Sequence, residues 1–196
     1  FLILLNNYSI MNEVKIKKGQ LLLSEPSLLG ENSFNRSVIL LAEYSNDGTV
    51  GFILNKPLEF TIGDLIPEIN SSLTVYNGGP VEQDNLYFIH TIPEKINNSV
   101  EISNGIYWGG DFESIKLLLN TNNISKKEIR FFLGYTGWAP NQLIEEFNIN
   151  SWLINENEEG NNILSLPTNE FWKDKISSQG GDYLLFSNAP EDPILN

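Results

Sequence analysis

The side chains able to do chemistry in this sequence are few and scattered. The single histidine, His90, closes an apolar run, Leu86-Tyr87-Phe88-Ile89. As a general base it would need a positioned substrate and an orienting partner; the competing reading is a strand-end residue bonded to backbone. Arg36 stands just before the run Ser37–Tyr44. There its guanidinium can grip a carboxylate or phosphate bidentately, or pair with Glu43 or Asp47. Asn55, ahead of Lys56-Pro57, can read a ligand or cap a turn. Trp138 and Gln142 flank Pro140, and the indole can serve as lid or as core. Two glycine clusters, Gly78-Gly79-Pro80 and Gly134 to Gly137, can offer backbone N–H groups to an anion or make tight turns. Arg36, Asn55, Gly78, Gly79, His90, Gly134, Gly137, Trp138 and Gln142 are therefore the candidate ligand-binding set. Glu145 and Glu146 read as a solvated face with an ion-pair partner.

No nucleophile–base pair, metal-ligand cluster, phosphate-loop lysine or dinucleotide-binding glycine motif occurs in the sequence. No catalytic residue, metal or cofactor is expected, and the sequence leans away from an enzyme. Cysteine is absent, which removes disulfides and thiolate chemistry. Acidic residues outnumber basic ones 25 to 12, a formal charge of −13. Such a surface repels phosphate backbones and disfavours direct nucleic-acid binding. Lys15, Lys17 and Lys18 read as a solvated strand end. The partner expected is a protein or a small anionic ligand.

The length of 196 residues suits one domain. Residues 1–18 are expected as an extension and lead-in, and 19–196 as a single domain. The opening apolar run is too short to span a membrane and lacks a cationic start. The expectation is a soluble, cytoplasmic protein, with residues 1–10 an extension upstream of a start at Met11.

Apolar runs bounded by Gly, Pro, Asn and Asp predict the elements that would position the candidates. Strands are expected at 19–23, 37–44, 49–55, 73–77 and 86–90, with a hairpin at Ser45-Asn46-Asp47-Gly48. Gly51 marks close packing or a bulge, and Pro57 stops its strand. Thr61 should cap a helix from Ile62, Asp111 one over Phe112–Leu119, and Thr168 one carrying Phe171-Trp172. A strand at Ile129–Leu133 is expected to break at Gly134–Gly137 and restart as a helix over Asn141–Phe147. Residues 155–162 read as an acidic loop. The fold class implied is α+β, with a largely antiparallel, curved or bifurcated (barrel-like) sheet and helices packed outside.

Several motifs in order carry a resemblance: SVILLAEY, GTVGFILNKP, VYNGGPV, LYFIH and RFFLGYTGWAPNQLIEEF followed by SWL. Together they resemble the AlgH/YqgE family of uncharacterised bacterial proteins, over roughly residues 19 to 155 and in features of the tail. The resemblance implies a single α+β domain with a bifurcated or barrel-like sheet. It also implies a transcriptional-regulator label that comes from a genetic association with alginate control and supplies no mechanism. The departures are the apolar stretch before Met11 and Trp108 in a region expected as loop. Three functions stay open: indirect regulation through protein or ligand binding, an anion-binding or catalytic site between the GGPV and GYTGWAPNQ turns, and an assembly role.

Overall fold

The computed structural model describes residues 15–26 and 33–188. The expectations for residues 1–10 and Met11, for Gly30 and for the proline-rich end after Asn188 lie outside the described residues. The strands are β1 (Leu21–Ser24), β2 (Val38–Ser45), β3 (Gly48–Ile53), β4 (Pro57–Thr61), β5 (Thr74–Asn77), β6 (Val81–His90), β7 (Val100–Ser103), β8 (Ile106–Trp108), β9 (Ile129–Trp138) and β10 (Trp152–Asn155). The helices are α1 (Ile62–Leu65), α2 (Phe112–Asn120), α3 (Gln142–Asn148), α4 (Phe171–Ser177) and α5 (Tyr183–Ser187), with a 3-10 helix at Gly160–Ser165. None is long and apolar enough to cross a membrane.

The strands form one mixed, mostly antiparallel sheet in the order β10-β1-β2-β3-β9-β6-β8-β7. It forks at β9. The first half of β9 pairs with β5 in parallel and with β6 antiparallel, while its end, Thr136 to Trp138, pairs with β3. The sheet is therefore bifurcated and does not close into a barrel. The parallel pair is possible because β6 to β8 and α2 intervene between β5 and β9, long enough for a crossover.

Alternation along the central strands decides which core each side chain joins. Leu21, Leu23, Val38, Leu40, Phe52 and Leu54 pack on one face with Ile163, Phe171, Trp172 and Ile176. Leu22, Ile39, Leu41 and Ile53 face the other way, against Trp138, Leu143 and Trp152. A third cluster gathers Ile62, Val75, Ile115, Leu119, Ile129 and Phe131 around α1 and α2. Strands buried on both faces need apolar residues at every position, which is why Ser37–Tyr44 reads as a continuous run.

The hairpin, the Thr61 capping box with Asp64 and the Asp111 cap form as the sequence predicts. Gly51 meets both of its expectations. It lies opposite a register shift between Leu41 and Glu43, and a Cβ there would fall 2.6 Å from Ile39 Cγ2.

The expected break at Gly134–Gly137 does not occur: β9 runs unbroken to Trp138. Strands on both flanks hold it extended, and Gly134, at φ +70°, only kinks it opposite the bulged stretch between Val81 and Leu86. Thr168 is not the cap of α4, which starts at Phe171 behind Glu170, with no side-chain cap bond. Pro57 ends one strand by opening another, β4, which the sequence does not signal. Part of the expected acidic loop is the 3-10 helix, and Trp108 ends β8 rather than lying in a loop.

Candidate functional site

Arg36 sits in a turn before β2 with φ +51°, a conformation costly for a residue with a Cβ. Asn55 holds it there. Its amide nitrogen donates to the Arg36 carbonyl at 2.8 Å, and its oxygen accepts from Val38 N at 2.9 Å. Asn55 thus does the work of a turn cap, between segments nineteen positions apart. The Arg36 guanidinium lies over the Trp172 ring, 5.2 Å from its centre, while the indole N–H donates to Ser24 O. Glu43 and Asp47, the alternative partners read from the sequence, line a different hollow.

Arg36, Asn55, Lys56, Trp172 and Lys173 line one cleft of about 480 Å³, closed by Thr168 to Glu170 and by Ser187 and Asn188. Its one acid among the described residues, Glu170, is 3.6 Å from Lys173. Three cations, an indole face and several amides and hydroxyls are groups whose chemistry can pair with a carboxylate or phosphate.

The two glycine segments meet in space, as paired backbone. Gly78 N donates to Leu133 O, Ile53 N donates to Gly78 O, and Gly79 N donates to the Asn77 side chain. A Cβ on Gly79 would fall 2.3 Å from the Tyr135 carbonyl, and one on Gly78 2.2 Å from Gly134 O. Glycine is needed here because another backbone occupies the room a side chain would take. These amides are consumed by the sheet. None of these glycines lines the Arg36 cleft; the nearest link is Asn77 N, which donates to Lys56 O at 2.8 Å. Gly137 lines the separate hollow beside Glu43 and Asp47.

His90 is fully buried, stacked on Tyr107 at 5.8 Å between ring centres. Its Nδ1 accepts from Ile92 N at 3.3 Å, which fits the backbone-bonded reading. Desolvation lowers its pKa below the ordinary imidazole value, against weaker opposing effects of the Gly109 backbone and the Glu94 charge. Among the described residues Nε2 has no partner in hydrogen-bond geometry.

Trp138 and Gln142 belong to a different construction. Glu146 Oε2 accepts from the indole N–H of Trp138 at 2.8 Å and of Trp152 at 2.6 Å, and Oε1 accepts from Gln142 Nε2 at 3.0 Å. Gln142 in turn accepts from Ala139 N. Glu146 is therefore a buttress for two tryptophans rather than a solvated ion-pair residue. Only the tertiary fold brings Trp152 to it.

Sequence reasoning gives no role to Arg130, Lys126 and Lys127, which line a second cleft of about 360 Å³ with Tyr76 and residues 164–168. Thr168 borders both clefts. An arginine inside an otherwise apolar strand, Ile129 to Leu133, was the available signal.

The AlgH-like family model matches residues 21–184. The chain belongs to that family. A UPF0301 protein of Chlorobium phaeobacteroides is 42% identical over 185 residues, covering 93% of this chain and 97% of that one. A UPF0301 protein of Bacteroides fragilis is 38% identical over 187 residues, with 94% of each chain covered. Among solved structures, a Corynebacterium diphtheriae protein superposes with a TM-score of 0.70 at 24% identity, covering 89% of this chain and 93% of that one. The AlgH protein of Pseudomonas aeruginosa gives 0.68 at 20% identity, covering 88% and 93%. Both agree with the bifurcated α+β architecture.

Proposed function

We propose that this AlgH-like chain is a regulatory protein without catalytic activity, which binds a small anionic ligand in the Arg36 cleft and acts through a partner protein. The stack of Arg36 on Trp172 carries the reading. It presents a guanidinium on a flat aromatic support beside Lys56 and Lys173, in a chain of net charge −13. Cations gathered on so acidic a molecule favour a small anion, whereas the overall field repels a nucleic-acid backbone. Any effect on transcription is then indirect. The buried His90, the chain's one histidine, does not line this cleft, which leaves it without a histidine base.

A thermal-shift and calorimetric screen of carboxylates, phosphates and nucleotides tests the reading. A saturable stabilisation by at least one organic carboxylate or nucleotide that weakens at least about tenfold in Arg36→Ala is expected, separate from any response to inorganic phosphate. No response to any compound, with Arg36→Ala indistinguishable from the parent, overturns it. Salt-sensitive, sub-micromolar binding of duplex DNA at physiological ionic strength would overturn the indirect route.

A further inference from the structure

Arg130 is the only Lys, Arg, Asp or Glu among the described residues that the fold buries, at 5% exposure. Its Nη1 donates to Leu54 O at 2.9 Å and its Nη2 to Leu164 O at 3.0 Å, and the guanidinium lies 4.8 Å from the centre of the Tyr76 ring. These contacts are with neutral groups. Among the described residues no carboxylate comes within ion-pair distance of it. A guanidinium has five N–H donors, and among the described residues only two of Arg130's find a protein acceptor. Burial pulls its pKa down, the Tyr76 ring works the other way, and arginine starts high enough to stay charged.

A desolvated charge without a counter-charge is expensive, and removing a partner from such a group is strongly destabilising. This fold makes the position worse by its own means. Lys126 and Lys127 line the same cleft, and neither forms an ion pair among the described residues. No acidic side chain among the described residues lines that cleft. Three positive charges converge on one space in a chain that carries 25 acidic residues and only 12 basic ones. A structural tie between two carbonyls would not need the two lysines. An anion would satisfy the leftover donors and relieve the repulsion together.

We propose that the cleft of Arg130, Lys126 and Lys127 is a second anion site, built for a phosphate or small phosphate monoester, with Arg130 as its buried anchor. Arginine's fork matches phosphate oxygens, and the lysines supply point charges at the exposed side. The cleft, at about 360 Å³, exceeds what a bare phosphate fills, and Leu164, Leu166 and Pro167 offer apolar wall for an attached organic group. The site does not depend on the Arg36 cleft, although Thr168 connects the two.

Inorganic phosphate titrated into the full chain at constant ionic strength, by calorimetry and thermal shift with sodium chloride as control, tests the proposal. Saturable binding is expected, weakened at least about tenfold in the double variant Lys126→Ala/Lys127→Ala and unchanged in Arg36→Ala. Arg130→Met would strip two carbonyls of their donors and is expected to unfold the chain, so the lysine pair carries the test. Their side chains are exposed, and the double variant should keep the parent circular dichroism spectrum. Absence of saturation by about 10 mM phosphate overturns the proposal. So does a double variant that binds like the parent. Loss of binding in Arg36→Ala alone would move the phosphate to the other cleft and equally overturn it.

Discussion

At the C-terminal end of β9, Glu146 reaches across from α3 and accepts three hydrogen bonds, two from tryptophan indoles and one from Gln142. At the N-terminal end of the same strand, Arg130 is buried with two neutral carbonyls and an aromatic ring for company. One end has a half-buried carboxylate whose two oxygens both accept bonds from the chain. The other has a buried guanidinium for which the described residues supply two acceptors and no opposite charge. A satisfied charge of the first kind fixes local packing. An uncompensated one stores a demand that a ligand can meet. The glycine junction lies between them and keeps the strand continuous from one end to the other.

The contrast can be broken most severely at the junction. Gly79→Ala places a Cβ 2.3 Å from the Tyr135 carbonyl at φ +150°, with backbone that cannot yield. Loss of more than about 4 kcal/mol, seen as failure to fold or a collapsed denaturation midpoint, is expected. A near-native midpoint would mean the two ends of β9 are not braced here. Next comes the satisfied end. Glu146→Ala leaves two indole N–H groups, on residues only 6% and 4% exposed, without their acceptor. A cost of about 2–4 kcal/mol in urea unfolding is expected, with altered tryptophan fluorescence. Glu146→Gln, which retains one acceptor oxygen, should cost less than half as much.

Asn55→Ala removes both bonds that pin Arg36 at positive φ, and should cost about 1.5–3 kcal/mol while weakening anion binding at the Arg36 cleft only. Equal loss at the Arg130 cleft would show that the two sites are one. The smallest effect belongs to His90. Its native pKa is depressed, so the unfolded chain takes up the proton first as pH falls. Stability is therefore complete above the unfolded imidazole's pKa of about 6.5 and declines as pH falls below it towards the depressed native value. His90→Gln should flatten that part of the pH–stability curve. A parent curve flat between pH 7 and 5.5 would contradict the burial of a neutral imidazole.

Where one periodic run buries both faces, the amino-acid order is nearly sufficient. Ser37–Tyr44, the Asn-Asp-Gly hairpin and the Thr61 and Asp111 caps depend on neighbours within a few positions, and all form as read. The GYTG stretch misleads for a physical reason. Its glycines read as turn residues, but Gly134 is there because Gly79 and Val81, more than fifty positions earlier, press backbone against it, and Gly137 meets the side chains of Tyr135 and Val81. Of the nominated residues, Arg36 and Asn55 share a cleft, and Trp138 and Gln142 share the Glu146 buttress. His90 joins neither. Arg130 stands out locally as the one charge in an apolar strand, but only the fold shows that it is enclosed.

The sequence by itself determined the α+β class, the family, most strands and helix starts, the acidity and the poverty of catalytic side chains, all of which follow from local periodicity, motif order and composition. The tertiary structure alone decided which cations converge, that Asn55 holds Arg36, and that Arg130 is enclosed with no opposite charge among the described residues. Lys126 and Lys127 are near neighbours of Arg130 in the chain, but the contacts that enclose Arg130 and hold Arg36 join residues nineteen to seventy-six positions apart, and no local pattern encodes them.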